Sequence, residues 1–335
     1  MRPALATIVD SLPDGVRCAA LPTPFPVGPV NCYLLAEAPV TVIDPGMALP
    51  ESLVHLTDLI QSAGLRVDEV DQVVVTHAHP DHFGAAGWLS RAADAPVLIG
   101  RAEVPKLQAY GGGGLDESRI GGFLGVLDTF GVPSEIRDVL PEFRQLVAGL
   151  VEPIDDDRFQ RIDDGDTIAA GGTNYTAHVT PGHAAGHLSL HDGGSVLFAG
   201  DHLLPRISPN PFLEMTEADP PERRPSLIEY LYSLDRFVAL DPAHVLPGHG
   251  EPFTDLATWT TRVRAHHDQR ADEIADLVAQ TPGSTVYELT LALFPDLDGF
   301  SIMLGLSEIA GHIDLLEQRG TVTRTSAGPD RYEPT

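Results

Sequence analysis

Fourteen histidines are spread through this 335-residue chain, and several fall where the backbone would aim them into one small space. The densest group is Thr76-His77-Ala78-His79-Pro80-Asp81-His82. His77 and His79 are two residues apart at the end of a buried-strand pattern running from Gln72 to Thr76. Extended backbone points residues i and i+2 the same way, so both imidazoles face one side. Pro80 biases His79 toward extended geometry. Asp81 and His82 follow at a turn into a helix, where a carboxylate suits the helix N-terminus. Zn²⁺ takes His nitrogen and Asp oxygen as ligands, with three protein ligands and an open position in catalytic sites. A lone histidine is more often a surface or satisfied core residue than a ligand. Four ligand-type residues within six positions reverse those odds.

Three further segments share one grammar, a strand followed by a tight turn that bears a ligand-type residue. They are Val179-Thr180-Pro181-Gly182-His183, Leu197-Phe198-Ala199-Gly200-Asp201 and Val245-Leu246-Pro247-Gly248-His249. In each, the residue follows directly on Gly, whose permissive φ allows a sharp turn at a strand end. Singly each is no better than an ordinary turn. Together with the first group they bring the candidate ligands to seven, enough for two metal ions. Ser189 and Ser195 have no triad partners nearby and read as strand residues, so no serine nucleophile is required.

The set His77, His79, Asp81, His82, His183, Asp201 and His249, with Asp44 in Ile43-Asp44-Pro45-Gly46, resembles the metallo-β-lactamase superfamily, in the family's motif order and over roughly residues 15–252. The resemblance implies an α/β fold, an αββα sandwich with the metals at one edge between two sheets. It implies two divalent ions, Zn²⁺ first, with Fe or Mn as alternatives. His77, His79 and His183 would bind one ion, Asp81, His82 and His249 the other, and Asp201 would bridge them. Asp44 would lie behind the ligands and orient them. Zinc β-lactamases of this fold are exported and lack the bridging aspartate. The pattern is closer to the glyoxalase II-like dinuclear hydrolases, and within them to the group of β-lactamase-like protein 2, which carries a C-terminal winged-helix-like domain. The implied chemistry is attack of a metal-bridged hydroxide on an acyl thioester or ester, with Asp81 as the catalytic residue that holds and passes on the nucleophile's proton. Lactone hydrolysis, endoribonuclease action and a mononuclear-iron persulfide dioxygenase are the alternatives. The full second-metal set argues against the last.

These loops need a frame that brings strand ends together. Val16–Leu21, Val30–Ala36, Val40–Asp44 and Val97–Gly100 read as strands, with helices over Leu53–Ala63 and about Gly84–Ala92. Further strands are expected at Thr176–Thr180, Leu188–His191, Ser195–Gly200 and Ala243–Leu246, with an amphipathic helix at Pro225–Leu240. Alternating strands and helices predict layered α/β architecture. Residues 102–157 read as a helical insertion or lid, its glycine tract after Tyr110 suggesting mobility near the entrance. The catalytic domain is expected over 1–252. From 253 to 335, helices at Trp259–Gln280, Ser284–Leu293 and Ile302–Gln318 and a hairpin suggest a small winged-helix-like domain.

Composition narrows the partners. With 21 Lys+Arg against 48 Asp+Glu the formal charge is −27, which disfavours nucleic acid and anionic membranes, both of which need clustered cations. A small-molecule substrate is expected, with a homo-oligomer possible. Two cysteines, Cys18 and Cys32, exclude a disulfide scaffold. Met1–Asp10 lacks the apolar stretch of a signal peptide, and no run long enough to span a membrane is present, so a cytoplasmic location is expected. His187 and His202 could stand behind the ligands, although an ordinary packing role is favoured for each. His178, His191 and His244 read as structural or exposed, and His266 and His267 as possible lining of the cleft.

Overall fold

A computed structural model describes residues 12–110, 117–138, 145, 147–299, 301–326 and 328–335. The glycine tract at 111–114 lies outside them. Two sheets carry the architecture. The first joins β1 (Val16–Leu21), β2 (Val30–Leu35), β3 (Thr41–Ile43), β4 (Gln72–Val75), β5 (Val97–Gly100) and β6 (Phe159–Ile162) in chain order. β3 through β6 pair in parallel. The second sheet contains β7 (Thr167–Ala170), β8 (Thr173–Val179), β9 (Leu188–His191), β10 (Val196–Gly200) and β11 (His244–Pro247) in reverse order across the sheet.

Strand alternation explains why two sheets stack with helices outside. In β2, Tyr33 and Leu35 face the second sheet while Cys32 and Leu34 face away. In β4, Val74 points inward and Val73 and Val75 outward, and in β5 Leu98 points inward between Val97 and Ile99. Central strands buried on both faces are apolar at nearly every position, as parallel strands must be. The inward set meets Tyr175, Ala177, Leu190, Phe198 and Leu246 of the second sheet. The outer face of the first sheet packs on α1 (Pro50–Ser62) and on a helix that follows the first histidine group.

The helix read over Gly84–Ala92 is α3 (Ala86–Ala93), and a short helix, α2 (Pro80–Phe83), precedes it. Pro80 suits the first turn of α2 because its missing N–H is not needed there. Short helices α4 (Val104–Gln108), α5 (Glu117–Thr129) and α6 (Ser134–Arg137) occupy the segment expected to be an insertion.

The outer face of the second sheet, Leu197, Ala199 and Val245, packs on α7 (Ser226–Leu240). The same apolar cluster continues into α8 (Leu256–Gln280), α9 (Val286–Leu293) and α10 (Ser301–Gln318). α8 starts three residues earlier than the periodicity suggests because Asp255 caps it, its side chain accepting from the Thr258 N–H at 3.2 Å. A closing hairpin pairs β12 (Val322–Ser326) with β13 (Asp330–Pro334). Among the described residues no helix is long and apolar enough to cross a membrane.

Candidate metal centre

Strand direction decides what can meet at one edge. β3 and β4 are parallel, and so are β10 and β11. β9 runs antiparallel to both of its neighbours, so β8 and β10 share a direction. Asp44 follows β3, His77 follows β4, His183 follows β8, Asp201 follows β10 and His249 follows β11. The two sheets are fastened to each other at this edge by backbone bonds. The Leu188 N–H donates to the Thr76 carbonyl at 2.7 Å, and the Asn31 N–H donates to that of Gly248 at 2.7 Å.

All seven expected ligand residues converge. His77, His79 and His183 form one group, Asp81, His82 and His249 another, and His77, His82 and Asp201 a third between them, each with donor atoms within 4.8 Å of one another. His79 Nδ1 lies 2.8 Å from His77 Nε2 and 3.0 Å from His183 Nε2. On the other side, His249 Nε2 is 3.3 Å from an Asp81 carboxylate oxygen. Asp201 stands between the groups, 3.4 Å from His82 Nε2, 3.7 Å from His183 Nε2 and 3.5 Å from His249 Nε2.

The backs of four of the five rings are held so that the front nitrogen keeps a lone pair. His183 Nδ1–H donates to the Asn210 carbonyl at 3.0 Å, and His249 Nδ1–H to the Pro29 carbonyl at 2.8 Å. Each contact fixes the tautomer, because a carbonyl can only accept. Asp44 holds one ring of each group. Its Oδ2 accepts from His82 Nδ1–H at 2.8 Å and from the Thr76 hydroxyl at 2.8 Å, and that hydroxyl accepts in turn from His77 Nδ1–H at 3.0 Å. The Thr76 N–H donates to Asp44 Oδ1 at 2.8 Å. The left-handed φ of Asp44, 53°, turns its carboxylate under both rings, a conformation Asp tolerates better than most residues.

The donor set fits metal ions. His82 Nε2, His249 Nε2 and Asp201 Oδ1 are buried with no hydrogen-bond partner, a costly condition that cations in their midst would relieve. Gly248 keeps this space open, since a Cβ there would lie 2.2 Å from Asp201 Oδ1 and 2.7 Å from His82 Cε1.

Electrostatics divides the seven residues. Burial, reinforced by repulsion between the rings, holds the His77 imidazole well below its ordinary pKa. Burial does the same at His79, with His183 and Lys106 adding to it. His183 is also lowered, by burial first, with Asp201 pulling the other way. At His82 and His249 burial is outweighed by carboxylates, Asp201 foremost, and both imidazoles lie above the ordinary value. Asp201 is held well below the usual carboxylate range, because His249 and His82 outweigh its burial.

Three supporting residues escaped sequence reasoning. Thr76 looked like the last residue of a strand. Asn31 uses its side-chain N–H groups to hold the carbonyls of Pro247 at 3.0 Å and Gly250 at 2.7 Å, bracketing His249. Glu103, fully buried, accepts from the Ala78 N–H at 3.0 Å and the Gly186 N–H at 2.6 Å. It thereby ties the loop of His77 and His79 to the loop of His183. Lys106 donates to both Glu103 oxygens at 3.1 Å and to Glu214 at 2.5 Å.

His187, favoured from sequence as a packing residue, stands directly behind Asp201. Its Nε2 accepts the Asp201 N–H at 3.2 Å, and its Nδ1–H donates to the Thr180 hydroxyl at 2.9 Å. His202 packs against Tyr230 with ring centroids 4.5 Å apart. His267 is buried rather than lining an open cleft, and His266 is exposed.

This edge-of-sheet cluster of imidazoles and aspartates between two stacked sheets defines a metal-binding hydrolase site. A family profile described as the Metallo-beta-lactamase superfamily matches residues 25–249, and the chain belongs to that superfamily. Over 325 residues the chain is 30% identical to "Probable metallo-hydrolase YqjP" of Bacillus subtilis (strain 168), covering 95% of this chain and 97% of the relative. It is 21% identical over 346 residues to "Beta-lactamase-like protein 2 homolog" of Drosophila melanogaster, covering 99% and 98%. Among solved structures, a metallo-beta-lactamase family protein from Thermus thermophilus superposes with a TM-score of 0.82 at 27% identity, covering 97% of this chain and all of that one (100%). A beta-lactamase domain protein from Burkholderia ambifaria gives 0.78 at 28% identity, covering 100% and 96%. The chain is thus a metallo-hydrolase of this superfamily with a His/Asp cluster able to bind two metal ions.

Proposed function

We propose that this chain is a dinuclear, zinc-dependent hydrolase of a small acyl thioester or ester. The observation that carries the reading is the pair of ligand groups meeting at Asp201, three imidazoles on one side and Asp81, His82 and His249 on the other. His77, His79 and His183 would hold one ion, Asp81, His82 and His249 the second, and Asp201 both. Divalent ions bound there supply Lewis acidity and lower the pKa of water toward neutrality. Imidazole and carboxylate together suit Zn²⁺.

The chain's own residues supply orientation and proton handling. Asp44, with Thr76, fixes His82 and His77. His187 fixes the backbone of Asp201. Asp81 is the catalytic residue of the scheme, a buried carboxylate placed to take a proton from the attacking water and return one to the leaving group. The second ligand group, complete in Asp81, His82 and His249, favours two ions over a single iron. The unit after residue 252, read as winged-helix-like, would close the substrate pocket. The net charge of −27 favours a small substrate over a nucleic acid.

The test is metal analysis joined to a hydrolysis panel of acyl-CoA and glutathione thioesters, lactones and a phosphodiester. About two zinc ions per chain are expected, with turnover of a thioester or simple ester. Asp81→Ala should abolish that turnover while the circular dichroism spectrum is unchanged. One iron per chain without hydrolysis would overturn the reading, and retained turnover in Asp81→Ala would remove Asp81 from its role.

A further inference from the structure

Between β10 and α7 the chain forms a strap, residues 201–225, without helix or strand. Such a stretch holds its shape only through the partners of its polar groups. Among the partners that lie on the C-terminal helices, three hold the middle of the stretch, residues 208–213. Asn210 Nδ2 donates to the Leu304 carbonyl on α10 at 3.0 Å. The Leu213 N–H donates to the Ser307 hydroxyl on the same helix at 3.2 Å. Ser208 and His267 of α8 share a hydrogen bond at 2.8 Å.

The direction of that last bond is set by a relay. His312 Nδ1–H donates to the Glu308 carbonyl at 2.7 Å, so its Nε2 accepts from His267 Nδ1–H at 3.2 Å. His267 Nε2 is then the acceptor for the Ser208 hydroxyl. Burial lowers His267 to about 3 and His312 to about 4, so both rings are neutral and each carries the single proton this relay needs. Packing adds to the hydrogen bonds. At Gly311 a Cβ would make ordinary contact with Pro211 Cγ of the strap at 3.5 Å, and would lie 2.8 Å from Leu227 Cβ at the start of α7.

What the strap carries is the back of the three-imidazole group. The Asn210 carbonyl is the acceptor of His183 Nδ1–H at 3.0 Å. The Phe212 ring stands 4.6 Å from that of His79 and 5.4 Å from that of His183, centroid to centroid. Asn210 therefore touches α10 with its side chain and His183 with its main chain.

We propose that Asn210 is a positioning residue through which the C-terminal helices set the ring of His183, so that α8 and α10 are part of the metal-site machinery as well as a cover for the second sheet. The proposal rests on His183 being a metal ligand, as in the function proposed above. It does not depend on which bond the enzyme hydrolyses.

His249 supplies an internal control. Its Nδ1–H also donates to a backbone carbonyl, but that of Pro29, which is not on the strap. The full-length chain labelled with ¹⁵N-histidine should show both imidazole N–H signals, protected by their hydrogen bonds. In Asn210→Ala the carbonyl remains but its anchor is lost. The His183 signal should broaden by exchange while that of His249 persists, and zinc competition against a chromophoric chelator should show one of the two ions weakened about tenfold, the scale seen when a ligand's outer partner is removed. Ser307→Ala should do the same to a smaller degree, and serves if Asn210→Ala does not fold. The double variant should lose less than the sum, because both act on one strap. Unchanged His183 signal and zinc affinity would overturn the proposal. So would equal loss of both imidazole signals, which would mean general loosening. Absence of hydrolysis in the unaltered enzyme would sink the functional reading and leave this test standing.

Discussion

The two halves of the metal centre are built on opposite principles. His77, His79 and His183 face one another as rings that burial and mutual repulsion keep neutral. That group contains no carboxylate of its own to offset the crowding of nitrogen atoms around His79 Nδ1. Its order comes from behind: Thr76 at His77, Asn210 at His183, and Glu103 under both loops. The other half, Asp81, His82 and His249, is also held from behind, by Asp44 at His82 and the Pro29 carbonyl at His249. In addition it contains its own counter-charge and is joined by Asp201. A neutral ligand group needs an external scaffold, whereas a group of mixed charge can stay assembled through its own attractions, which are strong where water is excluded.

Asp201 belongs to both halves, and its loss should have the largest effect. Asp201→Ala leaves His82, His183 and His249 without the carboxylate they share. Metal analysis should then find about one ion per chain or fewer, with activity reduced more than ~100-fold, beyond the range for an outer partner. Two ions bound with near-normal affinity would mean that the halves are independent, and the comparison would fail.

Glu103 separates the halves more finely. Among the described residues its hydrogen bonds reach Ala78 and Gly186 in the loops of the three-imidazole half and Lys106, not Asp81, His82 or His249. Glu103→Gln removes the charge that pairs with Lys106 and sets an NH₂ group against one of the two N–H donors. Urea unfolding should show a loss of about 2 kcal/mol, the cost of leaving a buried donor or charge poorly paired. One of the two zinc ions should weaken more than the other. Unchanged stability, or equal weakening of both ions, would show that Glu103 is not specific to one half.

The contrast also explains what could be read in the sequence. Ligands at strand ends carry a local signature, a β-branched run, then Gly or His, then the donor. Thus His77, His79, Asp81, His82, His183, Asp201 and His249, which the fold brings together, could be picked out by their spacing, while the two-sheet frame that aims them followed from the family resemblance. The scaffold behind the neutral half has no such signature. Asn210 and Glu103 act through partners distant in the chain, the bond from Glu103 to Gly186 spanning 83 residues and that from Asn210 to Leu304 spanning 94. Spacing cannot report a contact that only the fold creates. β6 and β7 were missed for a related reason. Phe159-Gln160-Arg161-Ile162 and Thr167-Ile168-Ala169-Ala170 are short and partly polar because they end the two sheets, so they lack the continuous apolar run that marks β4 and β5.

Thr76 offers the most selective perturbation. Its hydroxyl bridges His77 Nδ1 to Asp44, while the bond from His82 to Asp44 is made directly. Thr76→Val keeps the β-branched shape at the end of the strand and the backbone N–H that donates to Asp44. It removes only the link to the three-imidazole half. His77 then loses the acceptor that fixes its tautomer, while His82 keeps its carboxylate. Chelator competition should show one zinc ion weakened by about tenfold, the low end for loss of an outer partner, and the other unchanged within error. Stability should fall by about 2 kcal/mol, because both buried bonds of the hydroxyl are lost and the His77 Nδ1–H is left without its acceptor. Equal weakening of both ions would show that Asp44 couples the halves tightly enough for the Thr76 bridge to serve both. The neutral half would then be no more dependent on its scaffold than the charged one.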